Sequence, residues 1–301
     1  MSVPRISIAI LIVILACLVF LSPSIPVSAT NNKIAPAKEE IPALNSYPQK
    51  LDPFQQTPPI SASSAVVIDA KTGVTLFEKD PLARLLPAST VKLMTALVAL
   101  QKCSPEKLVT IGDVEKEPNV MGLQTGDVIS VKNLLYGLLV FSANDAALAL
   151  SYSCDTTTQD FVNEMNLKAR ELQMKSTHFT NPIGFDSEGE FTTAKDLAKL
   201  AKVAVANPLI AKIVATKQTV VTDATGQKTY FLQNINELLG QVAGVEGVKT
   251  GETKGSLQVL ITQTTREGNT IIVVVLSSAD RFADSKQLIE WAFANHKWTK
   301  P

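Results

Sequence analysis

Histidine is scarce in this sequence, which has only His178 and His296 among its 301 residues. A Ser-His-Asp triad would need one of them, and a zinc site normally needs clustered ligands such as the HExxH pair. Neither histidine lies in such a cluster. The sequence therefore predicts ordinary structural roles for both histidines, with no metal and no cofactor.

Net charge is also absent, because 28 Lys and Arg residues balance 28 Asp and Glu residues. A neutral chain offers no electrostatic attraction to nucleic acid, so we expect no nucleic-acid partner. No internal repeat and no Gly-rich phosphate loop occurs. The 46% hydrophobic content is enough for one large core or two modest ones.

One long apolar run is present, at the amino terminus. It covers residues 6–21 after Arg5, and Val27 and Ala29 satisfy the small-residue rule for cleavage after Ala29. The run is short for a membrane span of roughly 20 residues, although about 17 can suffice. Residues 1–29 are therefore predicted to be a cleaved signal peptide or, alternatively, a retained membrane anchor. Either way the mature chain is exported to the periplasm or cell wall space.

A proline-rich stretch follows the apolar run. Residues 30–60 are rich in Pro, Ala, Asn and Lys, and half of all 16 prolines fall between Pro23 and Pro59. This composition is typical of a partly extended linker. We expect it to precede a folded domain at residues 61–301 and to lift that domain off a membrane if the anchor is retained. Membrane contact is thus expected only through the N-terminal segment.

Cysteine occurs three times. Cys17 lies inside the apolar run, which continues beyond it and argues against a lipoprotein site. Cys103 and Cys154 are an even pair in an exported chain, where disulfides can persist. The alternative interpretation is two small buried hydrophobic side chains.

Strand patterns flank a segment, residues 87–215, that is mainly helical. Before it, "SSAVVIDAKTGVTLFEKD" predicts two strands joined by a turn. After it come a hairpin around "DATGQK", the strands "VEGVKT", "SLQVLITQT" and "TIIVVVLSS", and then an amphipathic helix from about Ala283 to Ala294. This order predicts an α/β fold, in which both ends of the chain complete one antiparallel sheet with flanking helices and an inserted all-helical lobe.

Ser89 and Lys92 lie three residues apart at the start of a helix that follows Pro87, so they share one face. A capping serine is normally followed at that spacing by Glu or Gln, and a lysine there opposes the helix dipole. The dipole, burial or a second cation would lower the lysine pKa, so that the neutral amine could take the serine's proton. The pattern predicts a nucleophile and its base; an N-cap and a solvated lysine remain the alternative. The same spacing at Ser104 and Lys107 indicates a polar connection.

Two further motifs carry polar groups suited to acyl transfer. Ser142 and Asn144 form a Ser-X-Asn motif at a helix–helix junction, where capping is again the alternative. Lys249-Thr250-Gly251 lies on a strand and offers a cation, a hydroxyl and close backbone approach. Such an edge can pair with an extended peptide while the lysine binds its terminal carboxylate. The earlier Lys-Thr-Gly copy lies in the hairpin turn.

In this order, Ser-X-X-Lys, Ser-X-Asn and Lys-Thr-Gly resemble the signature of penicillin-binding proteins and serine β-lactamases. The surrounding stretches are similar to those of the serine D-alanyl-D-alanine carboxypeptidases, the low-molecular-weight penicillin-binding proteins of peptidase family S11. The resemblance covers about residues 61–295, including "PASTVKLMTALVAL", "SANDAALAL", "NPIGFD", "TTAKDLAKLA", "GVEGVKTGETKGS" and "DRFADSKQLIEWAF". It implies a β-lactamase/transpeptidase-like fold.

The resemblance also implies a catalytic role for each matching residue. Ser89 is expected to form an acyl-enzyme, with Lys92 as the base for acylation. Ser142 is expected to relay a proton to the leaving D-alanine. The backbone amides of Ser89 and Glu252 would form the oxyanion hole. The implied reaction removes the terminal D-alanine from peptidoglycan stem peptides ending in D-Ala-D-Ala, a step of cell wall metabolism that affects cell shape.

Substrate binding is implied for five further positions. Asn144 would orient the peptide amide, and Lys249 with Thr250 would bind the terminal carboxylate. Gly251 would let the peptide backbone approach, and Arg281 would support the carboxylate pocket. β-Lactam antibiotics are then expected to be covalent inhibitors.

The chain departs from the family pattern in three places. Glu252 stands where His or an aromatic residue is common, and it places an anion beside the expected carboxylate pocket. Glu190 stands where the family usually has histidine. The common C-terminal β domain and amphipathic anchor do not follow Trp298, so any tether is expected at the N terminus. Glu252 puts substrate affinity in question more than mechanism, because only its backbone amide is expected to take part in the reaction.

Three other functions fit the same motifs. A β-lactamase would share the serine and lysine, but the Glu-X-X-Leu-Asn motif of class A enzymes is absent from the sequence. D,D-endopeptidase or transpeptidase activity on cross-linked strands is a closer alternative. A wall-binding pseudoenzyme is disfavoured because all motif residues are present.

The position of the two later cysteines predicts that they can pair. Cys103 lies 14 residues beyond Ser89, and Cys154 lies 12 beyond Ser142. Both helices are expected to start at the active site, so their far ends would lie roughly 21 and 18 Å from it on neighbouring paths.

Overall fold

The computed structural model describes residues 47–113, 117–155 and 157–299. The predicted signal or anchor segment, residues 1–29, and the first part of the predicted linker lie outside these residues. In the described part of the chain, no helix is both long enough and apolar enough to cross a bilayer.

The chain alternates between strands and helices in an order that closely follows the sequence patterns. The strands are β1 (Tyr47–Lys50), β2 (Ser64–Asp69), β3 (Thr75–Lys79), β4 (Leu108–Thr110), β5 (Val128–Ser130), β6 (Gln218–Thr222), β7 (Thr229–Gln233), β8 (Val245–Thr253), β9 (Leu257–Arg266), β10 (Asn269–Ser278) and β11 (His296–Thr299). The α-helices are α1 (Lys92–Lys102), α2 (Val131–Tyr136), α3 (Asn144–Cys154), α4 (Thr158–Glu171), α5 (Ala194–Ala206), α6 (Pro208–Val214) and α7 (Arg281–Asn295). A 3₁₀ turn at Ala88–Val91 precedes α1, and a π-helical turn at Gly137–Phe141 follows α2.

Five antiparallel strands form the central sheet, in the order β3-β2-β10-β9-β8. The hairpin β2-β3 therefore pairs with β10, from the later part of the chain, which confirms that segments from before and after the lobe complete one sheet. β8, which carries the Lys-Thr-Gly motif, is an edge strand of this sheet. An edge strand keeps unpaired backbone groups, so β8 can accept a further extended chain.

Both faces of the sheet are buried, because the lobe covers one face and α7 covers the other, and strand side chains alternate between the two faces. On β10, Ile272 and Val274 pack into the larger core with the helical lobe. Ile271 and Val273 pack into a second core with α7. Burial on both sides explains why β10 is a continuous apolar run rather than an alternating one. The fold is an α/β sandwich in which the sheet separates α7 from the lobe.

The lobe inserted between β3 and β8 was predicted to be all-helical, and this detail is corrected by the structure. β4 pairs with β5 inside the lobe. β6 pairs with β7 on either side of "DATGQK", which confirms the hairpin predicted there. β4 and β5 have three residues each. Such short strands show no periodicity in the sequence, and only Val109 and Ile129 are buried in them.

The predicted linker ends earlier than expected. Tyr47–Lys50 pair with the C-terminal strand β11. The indole Nε1 of Trp291 donates to the carbonyl of Gln56 at 2.9 Å. The folded unit thus includes residues from Tyr47 onward rather than beginning at residue 61, because the chain around β1 packs against the last helix and strand.

Cys103 and Cys154 form a disulfide bond, with their Cα atoms 5.6 Å apart, which confirms the predicted pairing. The bridge joins the far end of α1 to the far end of α3. Its sequence separation is 51 residues. The loop-entropy account assigns about 4 kcal/mol of stabilisation to a loop of this size. The bond thereby ties together the two helices whose other ends carry the serine motifs.

Candidate active site

Ser89 lies in the 3₁₀ turn ahead of α1 and does not cap the helix. The N-cap position is Val91, and no side-chain hydrogen bond caps α1. Ala88, directly before the serine, is buried and has φ of +48°. This left-handed conformation is costly for a residue with a β-carbon and is common where surrounding structure holds a functional group in place. The capping alternative for Ser89 is therefore wrong.

Lys92 is the first residue of α1, and its side chain is fully buried. Its Nζ lies 3.0 Å from Ser89 Oγ and donates to the carbonyl of Ile183 at 2.6 Å. Burial lowers the pKa of Lys92 to about 7. The alternative of a solvated lysine is also wrong. A neutral amine can donate one N–H to Ile183 while its lone pair accepts the serine's proton.

The Ile183 carbonyl belongs to the loop "NPIGFD", for which no role of its own was predicted. Asn181 Oδ1 accepts hydrogen bonds from the backbone N–H groups of Ile183, Gly184 and Phe185. Gly184 has φ of +88°, and a β-carbon there would overlap the carbonyl of Ala88. This contact was not predicted for any residue, since Asn-Pro-X-Gly by itself indicates at most a turn and a main-chain acceptor leaves no mark on the sequence.

Glu190, which stands where the family usually has histidine, supports this same loop. It is 5% exposed, and its Oε2 accepts from the backbone N–H and the hydroxyl of Thr180, at 2.7 and 2.6 Å. Burial raises the pKa of the Glu190 carboxyl. The substitution for histidine thus has a structural explanation: the carboxylate anchors the residue that precedes Asn181.

Ser142 and Asn144 do not cap α3 either. The N-cap residue of α3 is Ala143, and no side-chain hydrogen bond caps this helix. Ser142 has φ of +63°, and its hydroxyl accepts from Lys249 Nζ at 2.9 Å. Asn144 Nδ2 donates to the carbonyl of Pro118 at 2.8 Å. Both side chains are therefore held by tertiary contacts. The Pro118 contact was not predicted, because it lies 26 residues away in a segment without a motif.

Lys249 brings β8 to the serine motifs of the lobe. Besides Ser142, its Nζ contacts the carbonyl of Thr250 at 2.8 Å, and its side chain is 2% exposed. Burial, followed by the charges of Lys92 and Arg281, lowers the pKa of Lys249 well below its usual value. Thr250 Oγ1 is buried without a hydrogen-bond partner among the described residues. A buried orphan hydroxyl beside cations suits an anionic ligand.

Gly251 packs the edge strand directly against the nucleophile's backbone. A β-carbon at Gly251 would lie 2.9 Å from both Ser89 N and Ala88 Cβ. Arg281, at the start of α7, donates through Nη1 to the carbonyl of Gly251 at 3.0 Å and to Glu252 Oε2 at 2.9 Å. The structure therefore brings the nine predicted site residues to one region, where the sheet edge meets the lobe. It adds an ion pair, Glu252–Arg281, that was not predicted.

The two histidines lie in other contacts. His178 Nδ1 is 3.0 Å from the carbonyl of Gly189, and its ring stacks on Phe191. His296 Nδ1 is 3.0 Å from the carbonyl of Ala292. Across residues 47–113, 117–155 and 157–299, no group of three or more His, Cys, Asp or Glu side chains is placed to hold a metal ion.

The sheet, the inserted lobe and the serine–lysine pair at their junction define the fold class of the penicillin-binding proteins. The family model for D-alanyl-D-alanine carboxypeptidase, peptidase family S11, matches residues 53–280. The chain belongs to this family.

Curated and solved relatives agree with the family. The D-alanyl-D-alanine carboxypeptidase DacF of Bacillus subtilis is 33% identical over 78% of this chain, which spans 63% of the length of DacF. A D-alanyl-D-alanine endopeptidase of Escherichia coli is 31% identical over 78% of both chains. The crystal structure of the Streptomyces K15 DD-transpeptidase superposes with a TM-score of 0.75 at 31% identity, over 80% of this chain and all of that one.

Proposed function

We propose that this chain is a serine-type D-alanyl-D-alanine carboxypeptidase. It removes the terminal D-alanine from peptidoglycan stem peptides through an acyl-enzyme on Ser89. The proposal is carried by the Ser89–Lys92 contact of 3.0 Å, in which burial lowers the lysine pKa to about 7. Membership of family S11 and the names of the relatives support the substrate class.

Acylation begins with proton transfer from the Ser89 hydroxyl to neutral Lys92. The Ile183 carbonyl holds the amine by accepting one of its N–H groups. Ser89 Oγ then attacks the carbonyl carbon of the penultimate D-alanine. The oxygen of that carbonyl becomes negative, and the backbone N–H groups of Ser89 and Glu252 stabilise it. The contact between Gly251 and the Ser89 backbone brings the two amides near each other.

The leaving group then needs a proton. As the carbon–nitrogen bond breaks, Ser142 passes its hydroxyl proton to the amine of D-alanine. Ser142 regains a proton from Lys249, whose Nζ lies 2.9 Å from its Oγ. The proton that Lys92 took from Ser89 restores the ammonium of Lys249, so both lysines end the step as they began. Water later attacks the ester carbon, one of its protons passes to Ser89 Oγ as the ester bond breaks, and the shortened peptide leaves as a carboxylic acid.

The substrate is held as an added strand along β8. Asn144 is fixed through Nδ2 by Pro118, which leaves its Oδ1 to accept an amide N–H of the peptide. The terminal carboxylate binds the orphan hydroxyl of Thr250 and the ammonium of Lys249, with Arg281 adding positive charge. Because these groups are held in place, binding them orients the peptide for attack by Ser89.

D,D-endopeptidase or transpeptidase activity is the second candidate. The Escherichia coli relative is named an endopeptidase, and the Streptomyces K15 structure is named a transpeptidase. Both act from the same fold, so acceptor choice and access to cross-linked strands would separate the activities. β-Lactamase activity has less support, because no hydrogen bond in the described part of the chain joins Ser89 or Lys92 to a carboxylate.

Incubation of the purified protein with defined muropeptides tests the proposal. We expect free D-alanine from pentapeptide monomers, while the Ser89→Ala variant releases none. Faster cleavage of cross-linked dimers than of monomers would favour the endopeptidase. Release of neither product would indicate a wall-binding pseudoenzyme and would contradict the proposal.

The site of action follows from the substrate, which lies outside the cytoplasm. We propose that residues 1–29 export the chain and provide its membrane contact, either as a cleaved signal or as an anchor. A mature N terminus at Thr30 would establish cleavage, whereas an intact Met1 or Ser2 would establish the anchor. N-terminal sequencing of the exported protein distinguishes the two.

A further inference from the structure

Glu252 forms an ion pair with Arg281, one of the cationic residues of the site. Its Oε2 lies 2.9 Å from Nη1 of Arg281. The Arg281 side chain is 14% exposed, whereas that of Glu252 is 55% exposed. A partly buried cation is thus paired with an acid that solvent and ligands can reach.

The pair with Glu252 does not occupy all the hydrogen-bond donors of the Arg281 guanidinium. Nη1 of Arg281 also donates to the carbonyl of Gly251, and its Nε is buried without a partner among the described residues. Its charge reaches Lys249, whose pKa it helps to lower. Arg281 therefore contributes to the positive potential that an anionic ligand would meet, and Glu252 partly neutralises that potential in the free protein.

Glu252 lies close to the place proposed for the substrate carboxylate. It follows Thr250 by two residues on β8, and this part of the strand pairs with β9 in unbroken register. Side chains two residues apart on a strand point to the same face, roughly 7 Å apart. This spacing is below the Debye length of about 8 Å at physiological salt, so two carboxylates so placed repel each other.

We propose that Glu252 determines specificity at the C-terminal end of the substrate, by competing with the substrate carboxylate for the positive charge of Arg281. The inference rests on the proposed function and deepens it. An anionic end group must bind beside the Glu252–Arg281 pair or separate it. A ligand with a neutral end group meets no such competition. The side chain at position 252 therefore sets how strongly the enzyme prefers a free carboxylate over a neutral terminus.

The variant Glu252→Gln tests this competition. At low ionic strength, it should raise kcat/KM for a peptide ending in D-Ala-D-Ala by about fivefold, through KM rather than kcat, as expected for one partly exposed charge. Acylation by benzylpenicillin should rise similarly. The same peptide with a C-terminal amide should react equally with both proteins. In 1 M salt, where the Debye length is about 3 Å, the gain should largely disappear.

Glu290→Gln is a matched control. Glu290 pairs with Arg266 through two hydrogen bonds of 2.6 and 2.8 Å, and its side chain is 53% exposed. The change removes the same charge from a similar ion pair that has no contact with the site residues in the described structure. It should leave both substrates unaffected.

Three results would overturn the inference. One is an unchanged or lower kcat/KM for the free-acid peptide in Glu252→Gln while the wild type is active. Another is an equal gain with the amidated peptide, which would show that charge competition is not the cause. The third is a gain of the same size in Glu290→Gln. If the wild type neither releases D-alanine nor reacts with benzylpenicillin, the proposed function itself fails and the inference fails with it.

Discussion

Replacement of Lys92 by alanine should lower the rate at which benzylpenicillin acylates Ser89 by roughly 10²- to 10⁴-fold, the usual contribution of a general base. Lys92 Nζ is within hydrogen-bond reach of the serine hydroxyl, at 3.0 Å. The variant should still fold, because removing a fully buried amine also removes the cost of keeping it from water. Stopped-flow or rapid-quench acylation kinetics measure the effect, and circular dichroism checks the fold.

Lys107→Ala is the control for this experiment. Lys107 has the same spacing from Ser104 as Lys92 has from Ser89, but it is exposed and its Nζ donates to the carbonyl of Ser153. Its removal should leave acylation unchanged. An acylation rate in folded Lys92→Ala within a few-fold of the wild-type rate would show that Lys92 is not the base.

The same lysine should set the pH dependence of the wild type. Only the neutral amine accepts a proton, so acylation should rise with pH through about 7, the pKa to which burial lowers Lys92. Between about pH 7 and the usual lysine value of 10.5, the unfolded chain binds a proton there that the folded chain does not. The buried lysine therefore opposes folding less and less as pH rises through this range, so the free energy of unfolding increases. The pH–rate step should be lost in Lys92→Ala.

Benzylpenicillin should label Ser89 covalently, and the adduct should be long-lived. The strained amide of the drug takes the place of the D-Ala-D-Ala bond, and its carboxylate meets Lys249 and Thr250. Deacylation should be slow because the hydrogen bonds of Ser89 and Lys92 in the described structure include no carboxylate to activate water. Labelling should fall to zero in Ser89→Ala, since that change removes the nucleophile outright.

Tryptic mapping locates the label. Cleavage after Arg84 and Lys92 places Ser89 in its own peptide, and cleavage after Lys102 and Lys107 separates Ser104 from it. The mass of the drug should be found on residues 85–92 alone. Ser104→Ala should label like the wild type. A penicilloyl group on Ser104, or no covalent label, would refute the assignment.

Much of the fold could be predicted because its signals are local. The apolar runs of β2, β9 and β10, the turn before β3, and the helices of the lobe all follow from residue pattern. The features that were missed have weak or no local signal. β4 and β5 are too short for periodicity, and β1 looked like linker because its pairing partner β11 is at the opposite end of the chain. Strand pairing over such a distance depends on the whole sheet and last helix being in place.

The candidate site divides in the same way. The sequence identified the candidate side chains, because Ser89 with Lys92, Ser142 with Asn144, and the Lys-Thr-Gly motif are patterns of neighbouring residues. It could not decide between a helix cap and a nucleophile, since a serine before a helix suits both. That choice depends on where the hydroxyl points, and contacts with other elements determine its direction.

The sequence by itself determined the candidate nucleophile, the candidate base, the motif proposed to bind the carboxylate, and the family resemblance. Only the tertiary structure decided that Lys92 is buried, which lowers its pKa, and that the Ile183 carbonyl holds its amine. It also decided that Glu252 pairs with Arg281 across 29 residues. The physical reason is that burial and charge pairing are properties of the environment around a group. That environment is assembled from segments distant in the chain, whereas the chemical identity of each group is local.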